Sequence, residues 1–330
     1  MPRHSNISIF VPHIGCPNMC SFCNQRHITG TSNIPKKEDI DSAVAVALKS
    51  KNYDPENSEI AFFGGSFTAI DSDYMMYLLS AAYKYVENKS VSGIRVSTRP
   101  DAINSEVLGI LKEYGVTSVE LGAQSMVDSV LLSNNRGHSA EDVKNASKLI
   151  KDFGFSLGLQ MMTGLYKDTE DYDIFTAKEL IALKPDTIRI YPTIILKDTL
   201  LCDKYYSGEL VPQSVDSAAE LCAKLFIMFN KQNIKVIRLG LHSIDESSYA
   251  AGPWHPAFSE ICQSKIMLEK ITDKLTVKGK YIIFVNPSFL SKTIGQKRIN
   301  INYLKNKGYD CLVKSDSSLK DYEIKIERCG

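Results

Sequence analysis

Val11-Pro-His-Ile-Gly-Cys-Pro-Asn-Met-Cys-Ser-Phe-Cys-Asn-Gln-Arg-His27 sets three cysteines, Cys16, Cys20 and Cys23, at intervals of four and three behind an apolar run, Ile7 to Pro12, that reads as a strand. Thiolates are the usual ligands of iron–sulfur clusters, and a cubane normally takes four of them. Three ligands leave one metal position open, where a small molecule can bind and be activated, as at a catalytic zinc. Gly15 lets the loop turn sharply and Pro17 restricts it. A zinc site completed by His13 or His27 is the competing reading. Structural zinc ligands usually come as two separated pairs, and no second pair follows this triplet. The other five cysteines, Cys202, Cys222, Cys262, Cys311 and Cys329, are scattered and read as ordinary thiols.

Working outward from the loop, short Ile- and Val-rich runs alternate with longer helical patterns over the first 240 residues, as in repeated βα units with a parallel sheet. Strands are expected at Ile7 to Pro12, Glu59 to Phe63, Gly93 to Ser97, Ser118 to Gly122, Ser156 to Met161, Thr187 to Tyr191 and Lys235 to Leu239. Helices are expected near Lys36 to Lys51, Asp71 to Glu87, Asn104 to Tyr114, Ala140 to Phe153, Glu170 to Leu183 and Ser214 to Lys231, with Asp71 and Ser139 as N-caps. The expected fold is α/β, a partial (β/α)6 TIM-like barrel over residues 1–250. Ligands in such folds sit beyond the carboxyl ends of the strands. Those ends carry Phe62-Phe-Gly-Gly-Ser-Phe-Thr, Ser97-Thr-Arg-Pro-Asp, Leu121-Gly-Ala-Gln-Ser, Asn135-Arg-Gly-His, Gln160-Met-Met-Thr-Gly and Arg189-Ile-Tyr-Pro.

Cys-x3-Cys-x2-Cys with an aromatic residue before the last cysteine resembles the signature of the radical S-adenosylmethionine superfamily. The resemblance implies a [4Fe-4S] cluster on Cys16, Cys20 and Cys23, S-adenosylmethionine chelated to the fourth iron, and Phe22 near the adenine. It also implies cofactor contacts from Gly64, Gly65, Ser66, Thr68 and Ser97, with Gln124, Arg136 and Gln160 as polar partners; an arginine can grip the methionine carboxylate with two bonds. The ordered strand-end motifs are similar to the radical domain of the Elongator catalytic subunit, a tRNA uridine-modifying enzyme, over residues 5 to 255. That family continues into an acetyltransferase domain; with 80 residues after residue 250, the expectation is a chain without it. The strand-end residues also resemble those of oxygen-independent coproporphyrinogen oxidases, so a radical enzyme acting on a small molecule is the alternative, and a non-catalytic RNA-binding or zinc protein a further one.

Near Ala251-Gly-Pro-Trp-His-Pro the pattern changes. From Ala251 onward there are 14 Lys and Arg against 8 Asp and Glu, a charge of +6, while the preceding residues carry −5. That asymmetry suits a polyanionic partner. The tail, 251–330, reads as a helix, two strands from Lys274 to Val285, a helix near Pro287, a loop, a helix from Ile299 to Lys307 and a strand from Asp310 to Lys314. With the loop Ile294-Gly-Gln-Lys-Arg it resembles a small α+β KH domain of the NusA type, which implies RNA contacts at Gly295, Gln296, Lys297 and Arg298, with Arg298 in place of the second glycine.

His255, His242 and Tyr191 are candidate proton-handling residues. With no long apolar run and no signal-peptide pattern, the expectation is a cytoplasmic enzyme without a membrane partner, reduced by a flavodoxin- or ferredoxin-type donor and acting on RNA.

Overall fold

The computed structural model describes residues 4–12, 19–23, 34–241 and 246–329. The chain divides into two compact units, residues 1–213 with 229–252, and residues 214–228 with 253–330.

Along the first unit run β1 (Ser5–Val11), α1 (Lys37–Leu48), β2 (Ser58–Gly64), α2 (Ser72–Glu87), β3 (Gly93–Thr98), α3 (Ser105–Glu113) and β4 (Val116–Gln124). They are followed by α4 (Asp128–Ser133), α5 (Ala140–Asp152), β5 (Ser156–Thr163), α6 (Glu170–Ala182), β6 (Thr187–Pro192), β7 (Ile195–Leu196) and α7 (Leu200–Tyr206), then, after α8 (Val215–Lys231), most of which belongs to the second unit, β8 (Lys235–Leu239) and β9 (Tyr249–Ala251). Seven strands form one parallel sheet in the order β1-β2-β3-β4-β5-β6-β8, the curled sheet of a partial βα barrel. All seven expected strands are present, and the two-stranded β7–β9 ribbon is an addition.

The helix starts form where their first-turn N–H groups find local acceptors. The Asp71 carboxylate accepts from Tyr74 N–H, and Ser139 and Asp142 form a reciprocal capping box. Alternation along the strands separates two faces. Ile60, Phe62, Ile94, Val96, Val119, Leu121, Leu157, Leu159, Ile188 and Ile190 are completely buried apolar residues on one side. On the other lie Glu59, Arg95, Ser97, Ser118, Glu120, Gln160 and Arg189, bonded to one another across the strands. Apolar surface supplies the folding force, so a polar face is retained only where its groups are satisfied or used.

The second unit contains α9 (Phe258–Thr272), β10 (Gly279–Val285), α10 (Leu290–Ile294), α11 (Ile299–Asn306), β11 (Tyr309–Ser315) and β12 (Ile324–Arg328). Its sheet runs β11-β10-β12, with β10–β11 parallel and β10–β12 antiparallel. Met267, Ile271, Leu275, Tyr281, Ile283, Val285, Phe289, Ile301, Leu304 and Cys311 form its core. The expectation of two strands between Lys274 and Val285 is corrected to one. Leu275 N–H bonds back to the carbonyls of Ile271 and Thr272, so this stretch completes the end of α9 and turns Leu275 into the core. The missing strand is β12, where Ile324 and Ile326 alternate with Lys325 and Glu327.

Candidate active site

Cys20 and Cys23 belong to a short segment pinned at its middle. Ser21 N–H donates to the Asn134 carbonyl (3.0 Å), Ser21 Oγ donates to Asn134 Oδ1 (2.8 Å), and Leu201 N–H donates to the Ser21 carbonyl (2.9 Å). Asn134 is wholly buried and its Nδ2 also donates to the carbonyls of Val130 and Tyr166, so one amide ties the cysteine segment to α4 and to the loop after β5. Phe22 packs against a cluster of Ile195, Leu201, Cys202 and Ala251. His13, Gly15, Cys16, Pro17, His27 and His242 lie outside the described residues.

Arg136 meets this segment directly. One guanidinium nitrogen donates to Cys20 Sγ (3.2 Å), another donates to the Gly122 carbonyl (2.6 Å), and Phe22 lies 6.0 Å away, ring centroid to Cζ. Arg136 is 7% exposed and Cys20 8%. A register shift between Gly122 and Gln124 re-aims the end of β4, and Gln124 takes a left-handed φ of 65°. Bulges and sparsely populated backbone conformations recur at active sites. Gly122 leaves the space this requires, since a Cβ there would stand 3.0 Å from Gln124 Nε2 and 3.4 Å from an Arg136 nitrogen.

Three buried polar atoms of this group have no hydrogen-bond partner among the described residues: Arg136 Nε, Gln124 Oε1 and His138 Nδ1. His138 Nε2 lies 3.2 Å from the Ala123 carbonyl. Burial, reinforced by the Arg136 charge, lowers its pKa to about 4, so the ring is neutral near pH 7. Two thiols, a buried cation and unsatisfied donor and acceptor atoms fit a sulfur-ligated, anionic cluster with a polar small molecule beside it.

The glycine-rich segment after β2 is shaped by β1. Gly64 has φ +116°, and a Cβ there would lie 2.4 Å from the Val11 carbonyl oxygen; Gly65 N–H donates to that same oxygen (2.9 Å). Ser66 and Thr68 are buried, and their hydroxyls are engaged with Thr98 Oγ1 at 2.8 and 2.6 Å. Ser66 Oγ also accepts from Arg99 N–H, and Thr68 donates to the Ala102 carbonyl. These hydroxyls tie the end of β2 to that of β3, leaving the glycine backbone as the accessible part of the motif.

Ser97 and Gln160 join a third group centred on Glu120. Its carboxylate accepts from Gln160 Nε2, Ser97 Oγ (3.4 Å) and Arg189 Nε (2.8 Å). Arg189 Cζ lies 5.2 Å from the Phe63 ring centroid, and an Arg189 nitrogen lies 3.4 Å from the hydroxyl of half-buried Tyr191. Arg189 is held charged by Glu120 against the opposing effect of burial, and burial raises the Tyr191 pKa. Deeper in the same face Glu59 accepts from Arg95 (2.9 Å), Thr117 (2.7 Å) and Ser118 (2.9 Å). Although burial opposes ionisation of Glu59, hydrogen bonds and the Arg95 charge bring its pKa down to about 2.

Sequence reasoning missed Asn134, Glu59, Arg95 and Glu120. For Glu59, Arg95 and Glu120 the one legible signal was a charged residue within an expected strand; Asn134, a neutral residue just after α4, carried none. His255 serves its own turn, its Nδ1 accepting from Ala257 N–H (3.0 Å) just before α9.

In the second unit Gln296, Lys297 and Arg298 are exposed while Gly295 is buried. Gly295, Lys297 and Arg298 have φ of 77°, 50° and 62°. A Cβ on Gly295 would stand 2.7 Å from Ile299, and Arg298 adopts the left-handed backbone that glycine takes most readily. Asn300, buried, fastens the following helix by donating to Ser264 O (3.0 Å) and Thr293 O (3.1 Å).

Residues 10–180 match the Radical SAM superfamily and residues 185–268 the Radical SAM C-terminal domain. The chain belongs to the radical SAM superfamily. It is therefore an enzyme whose cofactors are a [4Fe-4S] cluster and S-adenosylmethionine. It is 30% identical to Elongator complex protein 3 of Dictyostelium discoideum over 55% of this chain and 36% of that protein. It is 27% identical to the tRNA uridine(34) acetyltransferase of Methanocaldococcus infernus, over 53% and 36% of the two chains. The chain thus spans about a third of the length of these curated relatives. The solved structure of archaeal Methanocaldococcus infernus Elp3 shares the fold, with a TM-score of 0.66 and 22% identity over 81% of this chain and 64% of that one. No helix among the described residues is long and apolar enough to cross a membrane.

Proposed function

We propose that this chain modifies an RNA base, in a transfer or ribosomal RNA, by hydrogen abstraction at the carboxyl ends of the barrel strands. The observation that carries the reading is the meeting of Cys20, Phe22, Gly122, Gln124 and Arg136 around buried polar atoms without partners among the described residues. Cys16, Cys20 and Cys23 would hold the cluster, which would supply the one electron for reductive cleavage of S-adenosylmethionine to methionine and a 5′-deoxyadenosyl radical. Phe22 would pack beside the adenine and the backbone of Gly64 and Gly65 beside the methionine amino group. Gln124, whose Oε1 has no partner among the described residues, would orient a hydroxyl or ammonium group. Ser66 and Thr68 support this site by fixing the strand ends, and Ser97 and Gln160 by joining the Glu120 network. Water is kept out by the burial of Cys20 and Arg136, which leaves fewer competing fates for a reactive intermediate.

The RNA part of the reading is supported by relatedness to a tRNA uridine(34) acetyltransferase and by a base-rich tail with an exposed Gln296-Lys-Arg298 loop. In a KH-like module over residues 251–330 those side chains would contact the nucleic-acid backbone. A low-potential flavodoxin or ferredoxin would deliver the electron.

The test is anaerobic reconstitution, dithionite reduction, and quantification of 5′-deoxyadenosine from S-adenosylmethionine with and without total RNA. Wild type should form it, Cys20→Ala should form none, and RNA should raise the rate at least about threefold in wild type but not in the Lys297→Glu/Arg298→Glu double variant. Cleavage unaffected by RNA would overturn the RNA reading; no cleavage with four irons per chain would overturn the radical reaction.

A further inference from the structure

We infer that Arg136 sets the reduction potential of the cluster through its hydrogen bond to Cys20 Sγ, which makes it a positioning and tuning residue for electron entry. The inference rests on the reading that Cys16, Cys20 and Cys23 hold the cluster. It differs from the role the sequence alone proposes for Arg136, a clamp on the methionine carboxylate.

Two of the five guanidinium N–H groups are engaged before any ligand arrives. One nitrogen donates to the sulfur at 3.2 Å and another to the Gly122 carbonyl at 2.6 Å, so two anchors on different elements fix its plane. Phe22, one residue before the last cysteine, lies against it. At 7% exposure the positive charge is poorly screened by water, and its effect on a neighbouring sulfur is correspondingly strong. His138, the nearby imidazole, is neutral near pH 7 and contributes no second charge.

Reduction adds one electron from the external donor, and the cluster with its thiolates becomes one charge more negative. A cation donating to a ligating sulfur stabilises the more negative state more than the less negative one, so it raises the potential; hydrogen bonds to sulfur and burial are established levers on such clusters. Arg136 Nε has no partner among the described residues, and Nη1 and Nη2 each keep a second N–H, so the bond to sulfur does not use up the donors a carboxylate would need.

The experiment is potentiometric titration of the reconstituted full chain, monitored by electron paramagnetic resonance, without S-adenosylmethionine. Arg136→Met should shift the midpoint to a more negative value, lowering the reduction equilibrium constant at least tenfold, about 59 mV for a one-electron couple. Arg136→Gln, which keeps a donor without the charge, should fall between the two. A wild-type midpoint in either variant that retains four irons per chain overturns the inference and leaves the carboxylate clamp, which predicts weakened S-adenosylmethionine binding instead. Loss of iron from both variants with an unchanged circular dichroism spectrum also overturns it, because Arg136 would then hold the ligand segment rather than set its potential. A wild-type chain that takes up no cluster at all defeats the underlying reading instead.

Discussion

Two polar regions of the first unit differ in how completely they are satisfied. In the strand interior all four carboxylate oxygens of Glu59 and Glu120 accept from described donors, including Arg95, Arg189, Thr117, Ser118, Ser97 and Gln160, and the one buried atom of the network without a hydrogen-bond partner among the described residues, Arg95 Nη1, still lies 4.0 Å from the Glu120 carboxylate. Around Cys20, by contrast, Arg136, Gln124 and His138 each keep one buried atom without a partner among the described residues. A buried polar network is stable when its members answer one another, and an unanswered atom costs about 1–3 kcal/mol. The first region therefore reads as scaffold and the second as a place prepared for a ligand.

The strongest challenge to this contrast is Glu120→Ala. Removing the carboxylate strips Arg189 of its ion-pair partner in a buried setting, and the expected loss is about 3–5 kcal/mol of unfolding free energy. Urea denaturation should show a lower midpoint with an unchanged slope. A loss below about 1 kcal/mol would mean that the network is not scaffold.

Acid titration separates the regions by pH. His138, with its folded pKa lowered to about 4, destabilises the fold when it must take up a proton, so stability falls between the ordinary histidine value of 6.5 and 4. Glu59, lowered to about 2, contributes stability that is intact above 4.5 and lost as pH falls toward 2. Each transition carries up to about 3 kcal/mol. His138→Gln should abolish the upper transition and leave the lower one, as read from unfolding free energy at successive pH values.

The smallest stability effect is expected in the ligand region. Gln124→Met should change unfolding free energy by less than about 1 kcal/mol, because the acceptor it removes has no partner among the described residues. The same change should weaken S-adenosylmethionine binding about tenfold, near 1.4 kcal/mol, by equilibrium dialysis. A large stability loss with unchanged binding would reverse the assignment of the two regions.

The strands and helix starts were legible because their signals are local. Ile and Val runs of the right length mark β2 through β6, and the Asp71 and Ser139 caps act within three residues of themselves. In the tail the same locality misled, since Leu275 and Val277 look like part of a strand until Leu275 is seen closing the end of α9.

The sequence by itself determined the alternation of strand and helix, the cysteine triplet, and the polar character of the strand ends, all of which depend on neighbours a few residues apart. Only the tertiary structure decided which of those polar ends meet. Arg136 reaches Cys20 across 116 positions and Ser21 bonds to Asn134 across 113, while Gln160 turns to Glu120 and the Ser66 and Thr68 hydroxyls turn to Thr98. The physical reason is that side-chain period and capping are set by each segment's own backbone geometry. Partner choice among strand ends is set by the register and curl of the whole sheet, which no single segment encodes.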